Sequence, residues 1–353
     1  MGRNTTNPAS VSEYLTDSVR VPLRSNRVLV TEGAKSVPAV TCDFCDTNDW
    51  VSHTAREMMF GLRHQFTYRE CTGCGALCLV DPPADMNLYY PPADYYSFNV
   101  PTVSIGMARK AFYRAHLVAP SLMRRIRQCR GPFAAFAAVR PKRDVRVLDV
   151  GSGGGDLVGA LRDLGIEALG IDAFVPQDVY DSFGLRVRRC ELETLDGDKG
   201  AWDIIMFHHS LEHMPNHVRL LGCASHKLAP HGICIVRMPV VGWAWRHYGV
   251  DWVQLDPPRH LVLHTPTSFV FAARQAGFRV SRIVFDSNEL QFWGSELYRR
   301  NIPMYSGRPL VSGKTQFGWR QMSSFRRRAQ ELNHQQDGDQ AVFILERAEA
   351  ECF

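Results

Sequence analysis

The stretch Arg146-Val147-Leu148-Asp149-Val150-Gly151-Ser152-Gly153-Gly154-Gly155-Asp156 reads as a buried apolar strand that runs into a glycine turn and then a helix. Glycine accepts positive φ and has no side chain, so the backbone can bend sharply and lie close against a ligand. The amides of such a turn, with a helix N-terminus behind them, suit a polar or anionic ligand group. The dinucleotide-binding fingerprint G-x-G-x-x-G needs a third glycine three residues after the second. Counted from Gly151 and Gly153, that place holds Asp156. A nicotinamide reading therefore fits poorly, and the pattern present is Asp149-x-Gly151-x-Gly153-x-Gly155.

Outward from this turn, strands and helices alternate, which predicts an α/β fold with a mostly parallel sheet. The first strand covers Val145–Val150, and the helix behind it carries Leu157, Val158, Leu161 and Leu164 on one face, closed by Gly165. Further strands are expected at Ala168–Ile171, near Leu185–Arg189, and at Trp202–Phe207, Ile233–Arg237, Phe278–Phe285 and Ala341–Leu345, with a helix starting near Asn216. Asp172 ends the second strand, about twenty residues after the turn, where an acid in doubly wound folds hydrogen-bonds a ribose diol.

Upstream, Cys42 and Cys45, then Cys71 and Cys74, form two Cys-x-x-Cys pairs. Each pair puts two thiolates on one tight turn, and two such knuckles fit a tetrahedral zinc site. With all four positions cysteine, no position is left for water, so the metal is expected to be structural. The remaining cysteines apart from Cys78, which follows the knuckles, sit in apolar or helical surroundings and read as small core residues. No apolar run approaches the roughly 20 residues that span a bilayer, and the N-terminus lacks the apolar core of a signal peptide. The expected location is cytoplasmic, where paired cysteines more often bind metal than each other.

The chain thus divides into a polar N-terminal extension over 1–38, a zinc-binding lobe with a tyrosine-rich lid over 39–100, a helical bridge over 101–143 and an α/β domain over 144–353. A formal charge of +5 on 353 residues gives no special reason to expect nucleic acid.

The fourth strand leads into His208-His209-Ser210-Leu211-Glu212-His213-Met214-Pro215, and Trp252-Val253-Gln254-Leu255-Asp256-Pro257-Pro258-Arg259-His260-Leu261 lies beyond the fifth. The glycine turn resembles motif I of class I S-adenosylmethionine (SAM) methyltransferases, and the histidine segment resembles the Leu-Glu-His run of many small-molecule methyltransferases. With the cysteine knuckles and Tyr89-Tyr90-Pro91-Pro92-Ala93-Asp94-Tyr95-Tyr96, the motif order from Cys42 to Leu345 is similar to zinc-containing methyltransferases of glycan and deoxysugar pathways.

The resemblance implies a Rossmann-like, seven-stranded sheet with an antiparallel final hairpin, beside a small zinc-ribbon-like lobe. It implies a SAM site built from Asp149, Gly151, Ser152, Gly153, Gly155 and Asp172, with Glu191 and Leu192 at the adenine and His208 beside the cofactor. Sugar C-methyltransferases of this kind carry His-Glu-His where this chain has Pro258-Arg259-His260. The missing acid leaves O-methylation at least as strong a reading as C-methylation.

Methyl transfer needs orientation of donor and acceptor and removal of the acceptor's proton. His260 is the expected general base, assisted by His213, with Tyr95 or Tyr96 on a small-molecule acceptor and Arg259 paired to its phosphate or carboxylate. Trp293, Glu296 and Tyr298 are further candidates to line the acceptor pocket. An RNA methyltransferase gripping nucleic acid through the zinc lobe, and a SAM-binding scaffold without catalysis, are the alternatives.

Overall fold

The computed structural model describes residues 41–91, 106–119, 123, 131–142, 144–195, 200–305, 311 and 313–348. The expected extension over 1–38 and both Tyr95 and Tyr96 lie outside them. Three strands open the described chain: β1 (Trp50–Arg56), β2 (Gln65–Cys71) and β3 (Leu77–Leu79). The next are β4 (Arg146–Val150), β5 (Glu167–Ile171), β6 (Val179–Asp181), β7 (Gly184–Arg188), β8 (Trp202–His208) and β9 (Leu228–Pro239). Last come the two-residue β10 (Val262–Leu263), β11 (Phe278–Phe285) and β12 (Gln340–Arg347).

The main sheet runs β11-β12-β9-β8-β4-β5-β7-β6. Its central strands β7, β5, β4, β8 and β9 are parallel neighbours, and β12 runs antiparallel between β9 and β11. Strands buried on both faces read as continuous apolar runs, which is why they were visible in the sequence. Leu148 and Val150 of β4 join Phe207, Val236, Phe269 and Phe343 on one face. Val147 joins Met206, Ile235, Leu157, Val158 and Leu161 on the other, under the helix Asp156–Asp163. Seven strands are the expected ones; the eighth, β6, is a three-residue edge strand antiparallel to β7. Tyr180 at its middle is 66% exposed, so it carries no apolar signal.

The second sheet runs β1-β2-β3-β10 and is antiparallel throughout. Its fourth strand comes from far along the chain, pairing Val262 with Cys78 and Leu263 with Leu77. A lobe bounded at 39–100 therefore borrows a strand from the α/β segment. A shared core completes the join: Met58, Tyr68 and Leu77 pack with Trp245, Trp252, Leu255 and Phe292.

Candidate active site and cysteine knuckles

The glycine turn sits at the carboxyl end of β4, and its three glycines each need positive φ: +73° at Gly151, +53° at Gly153 and +78° at Gly155. The Gly151 and Ser152 amides donate to the Ile171 carbonyl at 2.8 and 3.1 Å, which locks the turn onto the end of β5. A Cβ on Gly155 would stand 2.6 Å from Val187 Cγ2, so this glycine is required by close packing as well as by φ. The Arg186 guanidinium donates to the Gly155 carbonyl beneath it. Asp172 accepts from the Gly153 amide at 2.9 Å and from the Phe174 amide at 2.8 Å, one bond to each carboxylate oxygen. It braces the turn while each oxygen keeps a second lone pair. Ser152 Oγ and Asp149 Oδ1 are buried without a partner.

Burial, and then the nearby Asp172 carboxylate, raise Asp149 from 3.8 to about 7. In the unfolded chain it ionises near 3.8, while the folded chain holds the proton until about pH 7. Stability is therefore lost as pH climbs across that window, by at most about 4 kcal/mol. Asp149→Asn should remove this slope, so that in thermal melts without ligand the variant gains on the parent from pH 4 to pH 8. Equal pH slopes for the two proteins would contradict the assignment.

At the end of β8 the chain turns on His209, at φ +49°, into a short 3-10 turn, Leu211–His213. Ser210 Oγ donates to the Val150 carbonyl at 2.6 Å, tying this turn to the glycine loop. Glu212 is fully buried, and its Oε1 accepts from His209 Nδ1 at 3.2 Å. Burial alone would raise Glu212, but the His209 hydrogen bond and the charges of His209, His213 and His260 hold it low, at about 2. Burial, with His260 adding to it, pushes His213 down to about 4.

The loop after β9 brings His260 alongside, with ring centroids of His213 and His260 4.7 Å apart. His213 Nδ1 donates to the Arg259 carbonyl at 2.9 Å and His260 Nδ1 donates to the Gln254 carbonyl at 2.8 Å. A carbonyl only accepts, so both rings carry a proton on Nδ1 and hold Nε2 on the side away from those carbonyls. His213 and His260, expected from sequence to share the chemistry, are brought together. The tyrosine-rich stretch also reaches this place, through Tyr90: its hydroxyl lies 3.1 Å from His213 Nδ1, and its ring stacks on Phe174.

Arg259 does not present its charge to an acceptor, which corrects the expectation from sequence. It is fully buried, with Nε on Asp256 at 2.9 Å, Nη2 on Glu57 at 3.1 Å and on Asp256, and Nη1 on the Tyr89 carbonyl at 3.3 Å. Glu57 is equally buried and also takes the Phe60 and Leu62 amides at 2.8 and 2.9 Å. The pair locks the cysteine lobe to the histidine loop. Asp256, unnoticed in the sequence, also stands with Oδ2 3.9 Å from His260 Nε2. A carboxylate four residues before His260 thus partly restores the acid that Arg259 displaced. Tyr298 and Trp293 pack in or against the shared core, and Glu296 pairs with Arg299 and Arg300, so none is committed to a pocket.

His208 stands half-buried at the end of β8, its Nδ1 without a partner, its Nε2 3.5 Å from Arg237 Nη1, and its ring 5.1 Å from that of His209. Burial first, then His209 and Arg237, hold it well below the ordinary histidine range. Past the end of β7, Glu191 is exposed and Leu192 is buried in the main core. In the lobe, the sulfurs of Cys42, Cys45, Cys71 and Cys74 all lie within 4.8 Å of one another and none is in a disulfide. The Cys42–Cys74 and Cys45–Cys71 sulfur pairs are 3.7 and 3.5 Å apart. Zinc at about 2.3 Å from each of four sulfurs puts them roughly 3.8 Å apart, so the cluster has the dimensions of a tetrahedral site. Cys78 stands outside it, its thiol pushed up to about 12 by burial first and then by Cys42, Asp43 and Cys71.

Residues 122–283, which hold the glycine turn, Asp172, the Leu-Glu-His turn and His260, match a family model described as a methyltransferase domain. That stretch of the chain is similar to methyltransferase domains. A relative named ubiquinone biosynthesis O-methyltransferase, from Azorhizobium caulinodans, is 28% identical over 169 residues, which are 42% of this chain and 66% of that one. A protein of the same name from Paramagnetospirillum magneticum is 31% identical over 125 residues, 33% of this chain and 50% of that one. The chain thus spans under two thirds of the length of the curated relatives it matches. A solved SAM-dependent methyltransferase from Archaeoglobus fulgidus superposes with a TM-score of 0.36 at 18% identity, covering 58% of this chain and 86% of that one.

Proposed function

We propose that this chain transfers a methyl group from SAM to a hydroxyl of a small polar acceptor, with a sugar or nucleotide-linked sugar as the substrate class. The observation that carries this reading is the meeting of two features at one edge of the sheet. The glycine turn after β4 and the His213–His260 pair are joined there through Ser210 and Val150. Ligand sites of open α/β sheets lie at such carboxyl edges.

The residues fit the cofactor. Gly151 and Gly155 hold positive φ in tight contact with Ser210 and Val187, which fixes the turn and its amides, and Ser152 Oγ stands buried without a partner. Asp172 and the amides of the turn would hold the ribose and the polar tail, with His208, Glu191 and Leu192 as the further cofactor residues. SAM held there would supply a methyl carbon activated by a positively charged sulfur. His260 Nε2 receives the acceptor's proton, His213 steadies the oxygen beside it, and Tyr90 holds His213 in place. Among these candidates the names of the two relatives favour oxygen as the methylated atom. The four cysteines would hold a structural zinc that stiffens the lobe over the histidine loop.

Mass spectrometry of products from SAM and a panel of nucleotide sugars tests the reading. A product heavier by one methylene is expected, and His260→Ala should lower its rate by about 10²–10⁴-fold while SAM binding holds. Methylation of RNA, with none on the sugar panel, would overturn it.

A further inference from the structure

Behind the Leu-Glu-His turn lies a run of buried polar groups that the methyl-transfer step does not use. His217 opens the helix His217–Lys227, His264 follows β10, and Ser268 stands in the first turn of the helix Pro266–Gln275. All three are buried. His217 Nε2 lies 3.0 Å from the Met214 carbonyl, His217 Nδ1 lies 2.9 Å from His264 Nε2, and His264 Nδ1 lies 2.9 Å from Ser268 Oγ.

The protons of this run have one consistent arrangement. The Met214 carbonyl only accepts, so His217 Nε2 carries a proton. Burial holds both rings neutral, His217 down to about 4 and His264, with His217 beside it, well below the ordinary histidine range. A neutral His217 presents Nδ1 as an acceptor, and His264 Nε2 donates to it. His264 Nδ1 is then an acceptor in its turn. It takes the Ser268 hydroxyl proton in preference to the Thr265 carbonyl, which lies 3.1 Å from the same oxygen. Every ring nitrogen is thus paired, and reversing any one bond would orphan a buried group.

Both ends of the run are anchored. Phe44, between Cys42 and Cys45, packs on the His264 ring with centroids 4.5 Å apart. Thr265 Oγ1 donates to the Cys74 carbonyl at 2.7 Å and accepts from the Ser268 amide at 3.0 Å. At the far end the Met214 amide donates to the Leu211 carbonyl at 3.0 Å, which closes the turn that carries His213. Met214 Cε lies against the glycine turn, 3.2 Å from the place of a Cβ on Gly151.

We propose that Ser268, His264 and His217 are positioning residues, whose directed chain of hydrogen bonds fixes the His213 turn against the cysteine knuckles. The inference rests on the methyl-transfer reading for what His213 does. A displacement of about 1 Å at a catalytic group costs on the order of 100-fold in rate, and a carbonyl held by a ring N–H resists that displacement. The knuckles thereby act on the reaction from outside the site.

Nitrogen-15 NMR of the full chain tests the arrangement, and both rings should appear as Nε2–H tautomers. His264→Phe keeps a ring against Phe44 but breaks the chain. Counted per SAM-binding site by calorimetry, its kcat should fall at least about tenfold while the KM for the acceptor holds, a split that lost packing alone would not produce. His264→Gln, whose amide both donates and accepts, should recover most of that loss. Ser268→Ala is a smaller change and should lower kcat in the same direction. An Nδ1–H tautomer at either ring would overturn the chain. Unchanged kcat in His264→Phe, or in Ser268→Ala if the first does not fold, would overturn its part in the reaction. No methyl transfer by the parent to any small acceptor would instead overturn the methyltransferase reading, and the tautomers would still decide the chain.

Discussion

Gly151→Val is expected to abolish SAM binding, with an affinity loss of at least about a hundredfold, or roughly 2.7 kcal/mol. Two costs combine. Gly151 stands at φ +73°, where a β-branched residue is strained. Its Cβ would also stand 2.4 Å from Ser210 Cβ and 3.2 Å from Met214 Cε. Ser210 cannot yield without giving up its 2.6 Å bond to Val150, so the displacement passes to the turn itself and from there to the histidine segment. Gly165 is the control: its φ is +85°, yet a Cβ there meets nothing within 4 Å. Gly165→Val should cost stability through φ alone and leave calorimetric SAM binding unchanged. Comparable binding by the Gly151 variant and the parent would remove the turn from the cofactor site.

Arg259→Ala is expected to destabilise the chain by about 3–5 kcal/mol, because it leaves buried carboxylates without their cation. Glu57 is fully buried and Asp256 is 15% exposed, and both lose their shared guanidinium. The two backbone amides on Glu57 offset part of this, which sets the expectation toward the lower figure. Thermal melting should show a large drop for Arg259→Ala. A Glu57→Gln, Asp256→Asn, Arg259→Met triple variant should recover much of it, since replacing a whole buried ion cluster costs far less than removing its cation alone. A melting temperature within a degree or two of the parent would mean that Arg259 is not the clamp between lobe and histidine loop.

The strands that carry the site were legible because burial on both faces writes itself as apolar runs, continuous at Ile204–Phe207 and interrupted at Val147–Val150 by Asp149 alone. Gly151–Gly155 and Asp172 were legible for a different reason: each answers a local backbone demand, a positive φ or a strand end. The cysteine knuckles carried their spacing openly. What the sequence hid is what depends on long-range pairing. Arg259 finds Glu57 from 202 residues away, and nothing near Arg259 announces a buried acid. Strand β10 is two residues long, and only its pairing with β3 makes it a strand. Glu212 sat inside a recognised segment, between His209 and His213, but its free oxygen becomes visible only once His209 is seen to occupy the other. Asp256 was similarly in plain view, four residues before His260, and its closeness depends on the left-handed turn at φ +44°.

Methyl transfer as proposed requires the glycine turn to hold the methyl donor. Calorimetric titration of the chain with SAM, run in parallel on the parent and Asp172→Ala, tests it most directly. One site per chain with a dissociation constant of about micromolar order, weakened at least tenfold in the variant, is the result the account predicts. No binding heat in the parent, or equal binding in both proteins, would contradict it.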